Sequence, residues 1–329
     1  MSLPLPDAAI GTNPDPDLAA ARSGSVFASL THLGVLRFSG EDAEPFLQGQ
    51  LTCDVTNIGS SRSTYGAYCS PKGRMLANFL LWREDAGFFM VLSRDIVAAV
   101  HKRISMFVLR SKVQVSDASE SVVLHGTAGP GADGSLRDVF GDFRVEPGGI
   151  SRKDGIGTAI RLADGRFMLA STVSNASALR QRLAGLLTPV GPRAWRWLDI
   201  RSGVPLVTVA TQDRLVPQMA NLEILGGVSF DKGCYTGQEI VARAQHLGKV
   251  KRRLFLANVA ADASPGDDLF SEDLGDQASG LVVNAQSSPY GGCDLLAAVQ
   301  IESRERSIVH LRSLDGPTLN FLSLPYTVT

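Results

Sequence analysis

The chain has 329 residues, a net charge of −1, 44% apolar residues and 20% charged residues. That length allows two or three domains with a large buried core, and the composition is typical of a soluble globular protein. A charge near zero creates no broad field that would favour DNA or an anionic membrane surface. The four cysteines are too few for a disulfide scaffold and too widely spaced for a local zinc motif. We therefore expect reduced thiols, no metal site and a cytoplasmic location.

The first 23 residues are predicted to be a loose N-terminal tail. Residues 1–18 are rich in proline and aspartate, and they lack both the apolar run of a secretory signal and the acid-free composition of a mitochondrial presequence. No apolar run in the chain approaches the roughly 20 residues needed to cross a bilayer. No membrane partner is expected.

Short strands and helices then alternate up to about residue 116. The hydrophobic pattern predicts helices after Gly40 and after Ser93, where a serine can cap the helix. Pro71 and Gly73 suit a tight turn within a hairpin. The predicted strands are 35–38, 63–68, 75–82, 88–92 and 112–115. This order indicates an α+β sheet with helices on one side.

Residues 117–190 are predicted to form a second α+β unit. It contains a strand at 122–125, two strands around a turn at 164–165, and a helix over 175–187. The segment 129–134 matches G-x-G-x-x-G by letter, but Pro130 removes a backbone donor that a phosphate would need, and no βαβ unit surrounds it. We interpret this segment as a plain loop.

The remainder is predicted to return to the first unit and then to form a small barrel. Residues 191–249 include a helix at 194–202, and short strands separated by turn residues follow from residue 250. Such spacing predicts an antiparallel β-barrel. The predicted domains are therefore 24–116 plus 191–249, then 117–190, then 250–329.

Cys234 lies just before a predicted helix that spans residues 237–247. Thr236 and Glu239 have the spacing of a capping box, and an apolar stripe with the period of a helix follows. The unpaired amides of a first helical turn carry a partial positive charge, and Lys232 adds a full one. Both would favour a thiolate at Cys234, which can act as a nucleophile or a soft-metal ligand.

Two glycines flank this cysteine, and they would let a ligand approach the backbone closely. The simpler interpretation is that Cys234 is a small buried apolar residue and that the capping box is purely structural. The sequence pattern alone leaves both interpretations open.

The segment Lys232-Gly233-Cys234-Tyr235-Thr236-Gly237-Gln238-Glu239, with residues 240–243 after it, resembles the signature of YgfZ-type folate-binding proteins, which are related to the glycine-cleavage T-protein. The blocks 46–55, 69–74, 217–222 and 226–230 resemble the same family in the same order. The resemblance implies three domains around a central channel that holds tetrahydrofolate or a derivative, two of them sheet-and-helix domains and the third a barrel. It also implies a role in the assembly or repair of iron–sulfur enzymes, which, together with assembly proteins, would be its partners.

The resemblance implies a role for several residues of this chain. Cys234 and Lys232 would be the reactive pair. Folate would lie beside Gly233, Tyr235, Thr236, Gly237, Gln238, Glu239, Arg243 and Asn221. Lys72, Arg74 and Arg243 are candidate cations for the folate tail, although the first two also suit a solvated turn and Arg243 a routine ion pair with Glu239.

The chain departs from the T-protein pattern at two places. Ala77 and Asn78 stand where the T-protein has its catalytic pair of aspartates, so no carboxylate is available there for aminomethyl transfer. Arg201 stands where an acidic residue would bind the pterin, and a guanidinium accepts no hydrogen bonds. Glu223 or Asp199 is a substitute acceptor, or else a plain surface residue.

Three functions remain open from the sequence. The first is a folate-binding accessory protein for iron–sulfur cluster assembly or repair, acting through Cys234. The second is a tetrahydrofolate-dependent one-carbon transferase. The third is a tRNA-modification factor that contacts nucleic acid through a basic cluster, Lys249, Lys251, Arg252 and Arg253, which also suits a solvated linker.

Overall fold

The computed structural model describes residues 15–141, 145–246 and 250–328. The helices are α1 (Pro16–Ser23), α2 (Ala43–Gln48), α3 (Val97–Ser105), α4 (Ala132–Phe140), α5 (Val173–Ala184), α6 (Pro192–Arg201), α7 (Gln238–His246) and α8 (Ile301–Arg306). The strands are β1 (Val26–Ser29), β2 (Leu33–Ser39), β3 (Ser63–Cys69), β4 (Met75–Glu84), β5 (Gly87–Ser93), β6 (Gln114–Asp117), β7 (Val122–Ala128), β8 (Ile150–Lys153), β9 (Gly157–Arg161), β10 (Phe167–Thr172), β11 (Thr188–Val190), β12 (Arg252–Val259), β13 (Asp268–Ser271), β14 (Gly280–Ser287), β15 (Cys293–Gln300), β16 (Val309–Leu311) and β17 (Leu319–Leu322). The predicted mixture of helices and sheets is confirmed.

The first sheet is antiparallel and has the strand order β3-β4-β5-β2-β6. Its long hairpin, β3 and β4, reaches a turn at Ser70–Arg74, as the proline and glycine there predict. Met75 to Trp82 are all buried, so β4 is covered on both faces. A strand buried on both faces reads as a continuous apolar run, which made it easy to detect.

The second sheet has the order β11-β1-β7-β10-β9-β8. Strand β1 pairs with β7 and β11 in this sheet, although residues 24–116 had been assigned to the first unit. The break comes at residues 30–32, where the chain crosses from one sheet to the other. Four residues of strand pattern cannot specify which sheet they join, because the pairing partners lie about 100 and 160 residues further along the chain.

The third sheet contains β16-β13-β14-β15-β12-β17 in that order, with every pair antiparallel. An isolated bridge joins His310 of β16 to Thr318, which immediately precedes β17. The sheet therefore curls until its two edges meet, and the C-terminal strands form a partly closed barrel around an apolar core.

The predicted N-terminal tail is wrong for its last eight residues, because residues 16–23 form α1. Asp15 begins the helix by accepting a 3.0 Å hydrogen bond from the Asp17 amide, and Leu18 and Ala21 are buried. Asp17 also accepts a 2.7 Å hydrogen bond from the Gly191 amide, which ties α1 to the start of α6. Residues 1–14 lie outside the described ranges.

The plain loop predicted at residues 129–134 is also wrong in its second half, where α4 begins at Ala132. Leu136, Val139 and Phe140 face the core at helical spacing. Gly134 and Asp133 are poor helix formers and obscured this pattern in the sequence. The rejection of a dinucleotide site stands, because Pro130 still lacks a backbone donor and β7 pairs antiparallel with both of its neighbours.

Helix α6 connects the three sheets. Trp195 packs among buried residues of the first and second sheets. On the same helix, the Trp197 indole donates a 2.8 Å hydrogen bond to Asp294, a buried carboxylate of β15. The polar residues Arg196 and Asp199, which lie on α6 close to these anchors, line the space where the sheets meet.

Candidate functional site

A cavity of about 420 Å³ opens between the first sheet, α6 and the third sheet. This volume lies within the roughly 300–1,000 Å³ range of small-molecule sites. We call it the central cavity; its lining residues are His32, Ser93, Arg94, Asp95, Arg196, Asp199, Ile200, Val204, Leu206, Thr208, Pro265, Asn284 and Ala285. A smaller space of about 60 Å³, the side cavity, adjoins it and shares the wall formed by Asp199, Val204 and Leu206.

Asp199 is the carboxylate that both cavities share. Burial raises its pKa to about 6, even though the Arg166 guanidinium donates a 2.8 Å hydrogen bond to its Oδ1. The second carboxylate oxygen has no hydrogen-bond partner among the described residues. At neutral pH Asp199 is mainly ionised, and its side chain is 23% exposed, so its unpaired oxygen is available as an acceptor.

His32 is a second polar group with free hydrogen-bonding capacity in the central cavity. Within the described residues, neither ring nitrogen of His32 has a partner. Burial and the nearby Arg196 lower its pKa to about 4, so the imidazole is neutral at physiological pH. The sequence offered no signal for this residue, because His32 belongs to no motif and stands in a loop between two sheets.

Asn78 lines the side cavity at the place where the T-protein pattern calls for an acid. Its side-chain nitrogen donates to the Pro205 carbonyl at 2.7 Å, and its side-chain oxygen accepts from the Val207 amide at 2.7 Å. Both ends of the amide are therefore used in holding the link after α6 against β4. Its neighbour Ala77 is fully buried, so neither residue offers a proton acceptor for catalysis.

The cysteine segment, residues 232–239, lies elsewhere, against the turn of the β3–β4 hairpin. Helix α7 begins at Gln238, close to the predicted start, and Cys234 is exposed. Burial raises the pKa of the Cys53 and Cys69 thiols to about 12. Cys234 lines neither of the two cavities, and the position of this thiol beside a ligand channel stays a prediction.

The sequence predicted that the Lys232 ammonium would favour a thiolate at Cys234, but the hydrogen bonds of this ammonium go to backbone carbonyls instead. Its buried ammonium donates three hydrogen bonds, to the carbonyls of Gln48 at 2.7 Å, Leu51 at 2.7 Å and Cys53 at 2.8 Å. All three of its protons are thereby used. Burial lowers the pKa of Lys232 to about 8. These hydrogen bonds attach the start of the cysteine segment to the end of α2 and the loop that follows it.

Two glycines of the segment have different surroundings. A side chain at Gly233 would meet nothing within 4 Å, which fits the predicted open approach to the neighbouring cysteine. Gly237 has a φ of +83°, and a Cβ there would lie 2.5 Å from the Ser70 carbonyl oxygen and 2.9 Å from the Gly73 Cα. Gly237 is therefore needed for packing against the hairpin turn, and no ligand can approach it from that side.

The predicted capping box is not observed. Thr236 makes no capping hydrogen bond among those of the described residues. Instead, the Gln238 side chain accepts a 3.3 Å hydrogen bond from the Tyr235 amide. Gly237 has a left-handed backbone, and the helix begins at Gln238, one residue later than predicted. The Thr236 hydroxyl is therefore no longer at the position that caps the first turn.

Other predicted folate contacts have structural partners or face solvent. Tyr235 is buried, with the Lys232 ammonium 5.3 Å from its ring centre. The Asn221 amide pairs with the backbone of Leu254 on β12, at 2.9 and 3.2 Å. Glu239 and Arg243 are exposed, and no ion pair joins them in the described part of the chain.

The two carboxylates predicted as substitute pterin acceptors, Glu223 and Asp199, lie in different surroundings. Glu223 forms a buried ion pair with Arg253, whereas Asp199 lines the cavities. Arg201 lies 3.7 Å from Asp294 and lines neither cavity. Lys72 and Arg74 are exposed at the hairpin turn, away from both cavities.

The basic cluster is divided between different environments. Arg253 is buried, and Arg252 donates to the Ala278 carbonyl at 3.0 Å. Lys251 is exposed, and Lys249 lies outside the described residues. In the described ranges, no helix is long and apolar enough to span a membrane, and no group of three or more His, Cys, Asp or Glu side chains could hold a metal ion.

Comparison with known proteins gives the fold a precedent. Residues 14–151 match a family model described as the GCVT N-terminal domain. The glycine cleavage system aminomethyltransferase T from Bartonella henselae superposes with a TM-score of 0.78 at 19% identity, over 95% of this chain and 89% of that one. Heterotetrameric sarcosine oxidase from Corynebacterium sp. U-96 matches 49% of this chain and 83% of that one at 14% identity, with a TM-score of 0.35. The chain has a T-protein-like fold.

Proposed function

We propose that this protein binds tetrahydrofolate or a derivative in the central cavity and supports iron–sulfur cluster assembly or repair through the exposed Cys234 thiol. The observation that carries the folate proposal is the free carboxylate oxygen of Asp199 in an otherwise largely apolar cavity of a T-protein-like fold. The amino edge of a pterin needs an acceptor of this kind, and its flat ring needs apolar walls.

Charges at the cavity suit the rest of the ligand. Arg94 and Arg196 line the central cavity, and cations there attract the carboxylates of a folate tail. His32 adds a neutral ring to the lining. These residues replace Lys72, Arg74 and Arg243 as the proposed contacts for the tail.

Calorimetric titration with tetrahydrofolate under anaerobic conditions tests the folate proposal. We expect one site, and we expect Leu206→Trp to abolish binding because Leu206 belongs to the wall shared by both cavities. The matched control is Val209→Trp, three residues along the same link but 68% exposed. Absence of binding to the wild-type chain at millimolar ligand, or equal loss in both variants, would refute a folate site in this cavity.

The iron–sulfur proposal depends on Cys234 being available to a partner. Its thiol is exposed, an open space lies beside it at Gly233, and the loop beneath it is fixed by Lys232. A thiol in such a position can lose its proton and coordinate iron, or it can attack a disulfide of a partner and displace one of the partner's sulfurs as a thiolate.

Activity of a four-iron cluster enzyme in cells that lack this protein tests that role. We expect the wild-type chain and Asp231→Asn, a change at an exposed neighbour, to restore activity, and Cys234→Ala to fail at equal protein level. Equal restoration by Cys234→Ala would exclude the thiol from the function.

A one-carbon transferase and a tRNA-modification factor remain weaker candidates. The Asn78 amide has no free acceptor, and burial of Arg253 interrupts the basic cluster. Within residues 15–141, 145–246 and 250–328, no structural feature specifically favours either alternative.

A further inference from the structure

Arg166 is a buried cation immediately behind the carboxylate of the cavity. It follows the turn between β9 and β10 and reaches across to α6. Its Nε donates to Asp164 at 2.5 Å, one terminal nitrogen donates to Asp199 at 2.8 Å, and the other donates to the Ser202 hydroxyl at 3.0 Å. All three guanidinium nitrogens are thus committed, and Arg166 does not line either cavity itself.

Its guanidinium group is also held from one side by an aromatic ring. The guanidinium carbon lies 4.4 Å from the Trp195 ring centre, a stacking geometry that stabilises a cation. Ser202 is fixed in turn because its hydroxyl donates to the Asp199 carbonyl at 2.8 Å. The group is therefore rigid, and its two acceptor carboxylates compete for one positive charge.

We propose that Arg166 is a positioning residue that keeps Asp199 ionised and turned so that one oxygen faces the cavity, which makes the site selective for ligands that place an N–H donor against that oxygen. This inference rests on the proposed folate function and specifies the chemistry of its selectivity. Removing the cation would favour protonation of the buried carboxyl, and a protonated carboxyl carries a donor hydroxyl and is a weaker acceptor for an N–H group of the pterin edge.

Other charged or titratable groups surround Asp199. Asp164 approaches from the second sheet and Tyr65 from the first sheet. Arg196 lies on α6 itself, and His32, Arg94 and Asp95 complete the charged lining. His32 has a pKa of about 4, so its titration falls below the pH range in which Asp199 changes charge.

Two pH titrations test the proposal. The first follows the Asp199 carboxyl in protein with ¹³C-labelled aspartate, assigned by its loss in Asp199→Asn. The second follows the dissociation constant of tetrahydrofolate over the same pH range. In the wild type we expect both to change together near pH 6.

Opposite shifts of the Asp199 midpoint are expected from variants of Arg166 and of Asp164. Arg166→Met should raise the Asp199 midpoint by at least one unit, since an opposite charge at this distance typically shifts a pKa by about 1–3 units. A rise of one unit lowers the ionised fraction at pH 7 from about 0.9 to about 0.5, so binding should then be at least about two-fold weaker at pH 7 and should recover as the pH rises above the new midpoint. Asp164→Asn should lower the midpoint because a like charge is removed, and Arg166→Lys should largely restore it.

The outcomes separate this inference from the folate proposal. An unmoved midpoint in Arg166→Met with tetrahydrofolate still bound would overturn the role of Arg166 alone. A midpoint that moves as expected in a chain that binds no tetrahydrofolate would overturn the proposed ligand. If Arg166→Met does not fold, a rise or no change in the midpoint of Asp164→Asn would overturn the inference, and a fall would support it.

Discussion

The cavity region and the cysteine segment differ in how they hold their reactive groups. Around Asp199, charged groups from the second sheet and α6 are buried and bonded to one another, with one oxygen left free. Near Cys234 the charged group is Lys232, which is also buried. Its ammonium donates hydrogen bonds to three backbone carbonyls, and the Cys234 thiol itself is exposed. The first arrangement suits selection of a small ligand; the second presents a thiol to a large partner.

The two regions are also separated along the same hairpin. The cysteine segment packs against Gly73 at its turn, whereas the side cavity begins at Asn78. At about 3.3 Å per residue, these two points lie roughly 15 Å apart along the strand direction. Changes in one region should consequently leave the other intact, and this independence can be tested.

The largest expected effect is on stability. Lys232→Met should lower the free energy of unfolding by about 3–5 kcal/mol, because it leaves three carbonyls without their charged donor. Urea denaturation measures this loss. Lys72→Met, at an exposed lysine of the hairpin turn, is the control and should change stability by less than about 0.5 kcal/mol. An equally small loss in Lys232→Met would show that the three hydrogen bonds do not hold the segment.

The next effect is on ligand affinity. Asp199→Asn should weaken tetrahydrofolate binding about 10- to 100-fold, the range expected for a lost charge-assisted hydrogen bond. Asp95→Asn, which removes an exposed carboxylate from the same cavity lining, should have an effect of three-fold or less. Calorimetry measures both. A similar loss in the two variants would point to general electrostatics instead of a specific acceptor.

A smaller effect concerns stability at acid pH. His32 titrates at about 4 in the folded protein and at about 6.5 when unfolded. The unfolded chain therefore binds more protons between these values. The stability that depends on neutral His32, at most about 3.4 kcal/mol, is present above pH 6.5 and lost towards pH 4. Thermal denaturation should show a shallower acid loss in His32→Gln than in the wild type. Parallel curves would contradict the buried neutral state.

The smallest expected effect is the change in stability on removing the thiol. Cys234→Ala should alter the unfolding free energy by less than about 0.5 kcal/mol, since an exposed side chain loses little packing. The native protein should have one thiol that reacts quickly with a maleimide, and this reaction should vanish in Cys234→Ala because Cys53, Cys69 and Cys293 are buried. Fast labelling that persists in the variant would show that another thiol is accessible.

Local patterns in the sequence predicted much of the fold. The strands of the first sheet, the position of α7 and the C-terminal run of short strands all follow from periodicity and turn residues, because these signals are local. The pairing of β1 with the second sheet, α1 and the start of α4 were missed. Short or glycine-containing elements carry weak local signals, and contacts distant in sequence decide their place.

The sequence predicted the residues of the cysteine segment and their spacing, but not the contacts that they make. The sequence by itself determined that a lysine, a cysteine and two glycines stand together before a helix, since that is a matter of spacing. Only the tertiary structure decided that Lys232 bonds to carbonyls 179–184 residues away and that Gly237 packs on the hairpin turn. A charge acts on whatever lies nearest in space, and sequence spacing does not specify that distance.

The sequence said even less about the chemistry of the cavity. Asp199 was one of two substitute acceptors in the sequence, and nothing distinguished it from Glu223. Folding placed Glu223 against Arg253 and Asp199 against Arg166, with a free oxygen at the cavity. The identity of each carboxylate is local information, but its burial, its partner and its protonation depend on elements that meet only when the three sheets pack around α6.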